Sequence, residues 1–211
     1  MPTLHERNTD LTLIIPVYNL EKFLMPMLDS LKRQDIGGYI VETIFVLNNC
    51  TDNSEAVIRE SGLNCKIINC EIQGCGPARN AALEIATGEY IWFLDGDDWL
   101  LSECAISDVL TAMTVLDLDI LRVPYESERY RWLYFSMVWQ YVFSRKIIGD
   151  TRFPNYQPAE DDAFTEEVLA KVGATRWSYL QLPTATKPLY YYNYLRDGSN
   201  MFRVSVLGEK I

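Results

Sequence analysis

Three carboxylates crowd one short turn. In Glu89-Tyr-Ile-Trp-Phe-Leu-Asp-Gly-Asp-Asp-Trp99, residues Asp95, Asp97 and Asp98 follow directly on an apolar run with the make-up of a buried strand. Carboxylates at this density repel one another and stay ionised most easily around a bound cation. Oxygen ligands alone select Mg2+ or Mn2+, and such ions usually reach substrate phosphates through one or two protein carboxylates. The chemistry on offer is therefore divalent-metal binding with a diphosphate as the natural partner. The same residues also suit a solvated turn that caps the next helix, because Asp and Gly favour turns.

Such a turn is useful only where a strand delivers it to a crevice. From Leu11 to Leu94, short apolar runs alternate with helix-like stretches. That pattern builds a parallel sheet covered by helices on both faces, so the expected fold class is α/β. Strands are expected at Leu11 to Pro16, Glu42 to Leu47, Cys65 to Asn69 and Tyr90 to Leu94, rich in Ile, Val and Phe. The acidic turn then lies past the carboxyl end of the fourth strand, where open α/β sheets bind ligands. Between the strands, Phe23, Leu24, Met27, Leu28 and Leu31 share a helical face whose start Pro26 delays, and Asp52, Asn53 and Ser54 offer N-caps. Pro77 suits the first turn of a helix ending at Gly88. Downstream, the pattern predicts a helix from Glu103 to Leu116, a strand from Asp119 to Val123, a helix from about Asp161 to Val172 and a Tyr-rich strand from Leu189 to Tyr194. The aromatic-rich stretch after Val123 takes no assignment.

Composition narrows the class. With 211 residues, 48% hydrophobic and 23% charged, the chain is long enough for one well-buried core. A formal charge of −10 opposes nonspecific adhesion to nucleic acid or anionic lipid, although a local basic patch can survive within it. No apolar run approaches the roughly 20 residues of a membrane span, and Met1 to Asp10 lacks the apolar stretch of a signal peptide. The expected location is cytoplasmic. Five cysteines without a close Cys-x-x-Cys pair suit reduced thiols used in packing.

Further segments give the acidic turn its context. Asp10-Leu-Thr-Leu-Ile-Ile-Pro-Val-Tyr-Asn19, Thr51-Asp52-Asn53-Ser54 and Gly76-Pro-Ala-Arg-Asn-Ala-Ala-Leu83 precede Gly88-Glu-Tyr-Ile-Trp-Phe-Leu-Asp-Gly-Asp-Asp98. In order and spacing they resemble the family 2 glycosyltransferases. Arg152-Phe-Pro154, Glu160-Asp161 with Phe164, Pro188-Leu-Tyr-Tyr-Tyr192 and Arg196-Asp-Gly-Ser199 look like the acceptor half of the same family. The resemblance implies a GT-A type fold, Rossmann-like, forming one domain over residues 1–211 with a nucleotide-sugar half, 1–98, and an acceptor half, 99–211. It implies an enzyme that moves a sugar from a nucleoside diphosphate to a hydroxyl acceptor with inversion, using Mn2+ or Mg2+.

Roles follow position by position from that resemblance. Pro16, Val17 and Tyr18 lie against the nucleoside, Asp95 contacts the ribose with Gly96 beside it, and Asp97 ligates the metal. Arg79 lies near the nucleotide and Arg196 near the diphosphate. Asn48 stands where relatives carry an aspartate that accepts a hydrogen bond from uracil. Its carbonyl can still accept, while its amide can also donate, so a UDP-sugar is favoured with less discrimination than a carboxylate gives. Asp161, the second carboxylate of the Glu160-Asp161 pair, is the general base that removes the acceptor's proton. Asp161 and Asp162 also suit helix capping.

Other readings fit less well. Gly74-Cys-Gly76 leads into a helix as a dinucleotide loop does, but the third glycine is missing and the loop does not follow the first strand. An aspartyl phosphatase would place its Asp-x-Asp differently. A silent sugar- or nucleotide-binding module would not need all these carboxylates. The acceptor implied by the family is a saccharide or glycolipid. The segment Arg129-Tyr-Arg-Trp-Leu-Tyr-Phe-Ser-Met-Val-Trp-Gln-Tyr-Val-Phe-Ser-Arg-Lys146 interleaves bases and aromatics that stack on sugars or nucleobases, so a modified nucleic-acid base is the alternative acceptor.

Overall fold

Runs of Leu, Ile, Val and Phe become strands because both of their faces are buried, and a computed structural model shows how they pair. It describes residues 8–127, 137–155, 159–172, 176–179 and 189–192. Strands β1 (Leu11–Val17), β2 (Val41–Leu47), β3 (Lys66–Asn69) and β4 (Tyr90–Phe93) pair in parallel in the order β3-β2-β1-β4. The later part of the chain extends this sheet. β8 (Tyr141–Ser144) runs antiparallel to β4 and to β6 (Ile120–Arg122), and β9 (Trp177–Tyr179) pairs in parallel with β6, closing the order β3-β2-β1-β4-β8-β6-β9. A smaller sheet joins β5 (Trp99–Leu100), β10 (Tyr190–Tyr192) and β7 (Tyr125–Ser127).

Side chains alternate between two cores, one on each face of the large sheet. On one face Leu13, Ile15, Phe45 and Leu47 pack with Met27 and Leu28 of α1 (Leu24–Lys32), Ile58 of α2 (Ser54–Glu60), and Val109 and Met113 of α4 (Ala105–Val115). On the other, Ile14, Ile44, Val46 and Phe93 pack with Ala78 and Ala82 of α3 (Cys75–Leu83), Ile148 of α5 (Arg145–Ile148) and Phe164 of α6 (Glu160–Ala170). Helices thus cover both faces of a mostly parallel sheet, as the sequence pattern implies.

The boundaries carry physical reasons. α1 begins two residues before Pro26, which falls in the first turn, where a missing N–H costs no intrahelical bond. Pro77 likewise sits in the first turn of α3, but that helix stops at Leu83 rather than at Gly88. Gly88 instead crosses β1 so closely that a Cβ there would lie 2.4 Å from the Thr12 nitrogen. Asp52, rather than Asn53, bonds the start of α2, accepting from the Ser54 backbone at 3.0 Å. The part of the aromatic stretch at 138–144 is core: Trp139, Tyr141 and Phe143 are buried, the last two as members of β8. These three aromatics of the strip serve the core rather than an acceptor; residues 129–136 of the strip, and Asn193 and Tyr194 at the end of the expected Tyr-rich strand, lie outside the described residues. All five cysteines are free thiols. Among the described residues no helix is long and apolar enough to cross a membrane.

Candidate active site

The site forms where β1 and β4 part company. Their pairing ends at Ile14 and Phe93, although β1 runs on to Val17. Pro16 lies beyond the last β4 partner, so its missing N–H removes no bond to that strand. The chain leaving β4 passes over the free end of β1: Leu94 donates to the Ile14 carbonyl at 3.0 Å, and the acidic turn follows. Gly96 keeps the crossing tight, since a Cβ there would stand 2.8 Å from Leu20 Cδ1 and 3.2 Å from the Pro16 carbonyl, and both would have to give way. Pro16, Val17, Gly96 and the acidic turn therefore assemble at one place, the switch point of the sheet. Pro16 and Val17 are buried, while Tyr18 projects with 51% of its surface exposed.

The three carboxylates of the turn are not equivalent. Asp98 is turned inward, 1% exposed, and accepts a hydrogen bond from the buried Tyr190 hydroxyl. The same hydroxyl accepts from the Asp95 backbone N–H at 3.2 Å, so one phenol on β10 ties both ends of the turn. Burial, and then the charge of Asp98, push the Tyr190 pKa well above its ordinary value, which keeps the proton on oxygen. Asp97 and Asp95 remain half-buried at the outer side. Sequence reading grouped Asp98 with the metal-binding candidates and passed over Tyr190, whose partner is 92 residues away in the chain.

Arg79 is buried against this turn, with 2% of its surface exposed. Its Nη2 bonds Asp95 Oδ1 at 2.8 Å and its Nη1 bonds Asp161 Oδ1, so one guanidinium bridges the two carboxylates. The guanidinium stands 5.3 Å from the centre of the Phe153 ring. Burial opposes its charge, but Asp161 and then Asp95 outweigh that effect and raise its pKa. Phe153 is itself held by Asn80, which donates to the Phe153 carbonyl and accepts from its N–H, both at 2.9 Å. Phe153 also stacks on Phe164 with ring centres 3.9 Å apart. The Ala-Arg-Asn and Arg-Phe-Pro segments thus meet in one packed unit.

Asp161 enters from the start of α6, in the later part of the chain. Its side chain keeps 15% exposure, and its second oxygen accepts from the Val138 N–H at 3.3 Å. Burial raises its pKa above the ordinary carboxylate value; Arg79 opposes that shift and Asp95 adds to it. Glu160 is shifted upward as well, by burial and then by the Asp161 charge.

Asn48 is 4% exposed and is engaged with the loop before α3. Its amide donates to the Cys70 and Ile72 carbonyls at 3.0 and 2.7 Å, and its Oδ1 accepts from Gly74 at 2.9 Å. Among the described residues Oδ1 has this one donor, and a carbonyl oxygen can accept a second. Beside it, at the ends of β2 and β3, opens a cavity of about 350 Å3 lined by residues including Leu47, Asn49, Asp52, Asn69 and Glu71. Arg196 lies outside the described residues.

No cluster of three His, Cys, Asp or Glu side chains among the described residues is arranged to hold a metal by itself. The donors present fit a cation that arrives with its phosphates, because Mg2+ and Mn2+ commonly take only one or two protein carboxylates and complete their shell from substrate and water. Asp97 and Asp95, both half-buried, are the carboxylates that would offer that kind of ligand.

Comparison with known proteins places this geometry. The family model described as "Glycosyl transferase family 2" matches residues 12–175. The chain is 28% identical to poly(ribitol-phosphate) beta-N-acetylglucosaminyltransferase TarS of Staphylococcus aureus over 94% of its own length and 38% of the relative's. It is 27% identical to the poly(ribitol-phosphate) beta-glucosyltransferase of Bacillus spizizenii, over 90% and 33% of the two lengths. The chain thus spans between a third and two fifths of these relatives. The crystal structure of S. aureus TarS 1–349 in complex with UDP-GlcNAc superposes with a TM-score of 0.79 at 26% identity, covering 92% of this chain and 60% of that one. A mannosyltransferase of Pyrobaculum calidifontis, solved with GDP-Man and Mn2+, shares the fold alone at 17% identity, with a TM-score of 0.68 over 94% and 61% of the chains. With the family model covering most of its length and a GT-A sheet beneath its acidic turn, the chain belongs to glycosyl transferase family 2.

Proposed function

We propose that the chain transfers a sugar from a uridine diphosphate sugar to a hydroxyl of a saccharide or polyol-phosphate polymer, with inversion at the anomeric carbon. The observation that carries this reading is the Arg79 bridge, which sets a carboxylate of the acidic turn and a carboxylate of the acceptor half side by side at the switch point of the sheet. A nucleoside diphosphate sugar has its leaving group on one side of the anomeric carbon and its attacking hydroxyl on the other, so it needs charged groups from both halves. Asp161 accepts the acceptor's hydroxyl proton as that oxygen bonds to the anomeric carbon. The bond from that carbon to the phosphate oxygen breaks, and its electron pair leaves with the nucleoside diphosphate. Asp97 would hold Mn2+ or Mg2+ against the diphosphate, where the cation stabilises charge on the leaving group. Asp95 and Gly96 receive the ribose side, and Pro16, Val17 and Tyr18 the nucleoside.

The donor follows from two supports. TarS, similar over nearly the whole chain, was crystallised with UDP-GlcNAc. Asn48 Oδ1, which accepts from Gly74 among the described residues, can accept a second hydrogen bond, as from a uracil N–H. The acceptor reading rests on the two relatives named for poly(ribitol-phosphate). The test is a product analysis: the protein is incubated with Mn2+, UDP-α-GlcNAc and a poly(ribitol-phosphate) or saccharide acceptor, and the new linkage is read by NMR. A β linkage is expected. An α linkage would replace the single displacement with a two-step or front-side route, and calorimetry showing tighter binding of GDP than UDP would remove the uridine assignment.

A further inference from the structure

A buried arginine between two carboxylates has two quite different uses. It can stabilise the fold, or it can set the distance between groups that react. Burying an ion triad is a poor way to gain stability, because desolvation takes back much of the attraction. The details at Arg79 also argue against a stability role. Its Nε is buried without a hydrogen-bond partner among the described residues, an uncommon state for a buried donor. The guanidinium is thus oriented to serve its two carboxylates rather than to satisfy all of its own donors. Nor is it placed to touch a nucleotide, being 2% exposed with both terminal nitrogens engaged and a face toward Phe153.

The supports of Arg79 come from both halves of the chain. Helix α3 presents it, the two-way Asn80–Phe153 bond fixes that helix to the 153 segment, and Gly76 lets the segment approach until a Cβ would lie 2.8 Å from the Pro154 carbonyl. Asp95 belongs to the donor-side turn and Asp161 to the acceptor-side helix. We infer that Arg79 is a positioning residue that locks the general base Asp161 to the donor-side turn at a fixed separation, and that it does not contact the nucleotide. The inference rests on Asp161 being the base, as proposed above. A planar guanidinium offers one nitrogen to each carboxylate at a fixed separation, whereas the ammonium of lysine, although it has three donors, offers a single point on a flexible stem and cannot hold the two carboxylates at that spacing.

The test compares Arg79→Lys, Arg79→Ala, Asp161→Asn and the double variant Arg79→Lys/Asp161→Asn. Turnover, UDP affinity by calorimetry and thermal midpoint are measured for each. Arg79→Lys should lose turnover by about 10²-fold, the scale of a misplaced reacting group, while binding UDP within about threefold of the native chain, a margin well under the tenfold that 1.4 kcal/mol represents. Added guanidinium ion at millimolar concentration should restore part of the turnover of Arg79→Ala, and urea at the same concentration should not. In the Asp161→Asn background, Arg79→Lys should cost little further turnover, because both changes disable one unit. Native turnover in Arg79→Lys, or equal losses of turnover and UDP affinity, would overturn the inference, as would losses that multiply in the double variant. If Arg79→Ala does not fold, Arg79→Lys and the double variant still decide. Near-native turnover in Asp161→Asn would sink the base assignment instead, and so marks that failure separately.

Discussion

As the proposed base, Asp161 meets two opposing demands, since a base must be basic enough to take a proton and yet be ionised at the working pH. Burial supplies the first and Arg79 the second. Its raised pKa means that it is protonated, and useless as a base, at a pH where an ordinary aspartate near 3.8 would still be charged. Turnover should therefore fall on acidification along a limb lying above 3.8, read from the pH profile of kcat/KM. A profile flat down to that value would exclude Asp161 as the titrating base. Asp97 should behave differently: Asp97→Asn is expected to weaken Mn2+ and UDP binding together, and calorimetry that finds both unchanged would move the metal elsewhere. Asp95, Asp97 and Asp161 stand out as candidates in the sequence because short motifs bring their own spacing. The bridge through Arg79 does not, because it closes over 82 residues between Arg79 and Asp161 and depends on α3 and α6 meeting beside β4.

At the scale of elements, the four parallel strands were readable because doubly buried strands are continuous apolar runs. β8 was not, since Tyr141-Val-Phe-Ser144 sits in an aromatic stretch whose composition suits a strand, a helix or a ligand surface equally well. Only its place between β4 and β6 decides the matter. β10 shows the same limit: the Tyr-rich run was expected as a strand, but its service to the acidic turn was not. Tyr190 joins that strand to Asp95 and Asp98, so Tyr190→Phe should destabilise the fold by about 1–3 kcal/mol, the cost of stripping a partner from a buried polar group. The loosened turn should also bind metal and donor less tightly. Chemical denaturation and calorimetry check the two effects, and a variant with native stability and native affinity would show that the turn is held by its other contacts.

Across the molecule, one sheet carries both groups of residues to which the proposed function gives chemical duties. β1 and β4 carry the proposed donor side of the site, and β8, paired directly to β4, brings in the later half of the chain that also contributes Asp161. Because the donor side is assembled from β1 and the acidic turn, altering the acceptor-side carboxylate should leave donor binding intact. The decisive measurement is turnover and UDP-sugar affinity in Asp161→Asn, a change that keeps size and much of the hydrogen bonding but cannot take a proton. The account predicts a loss of turnover of roughly 10²-fold or more with donor affinity retained. Near-native turnover, above all if Asp162→Asn collapses instead, would contradict it.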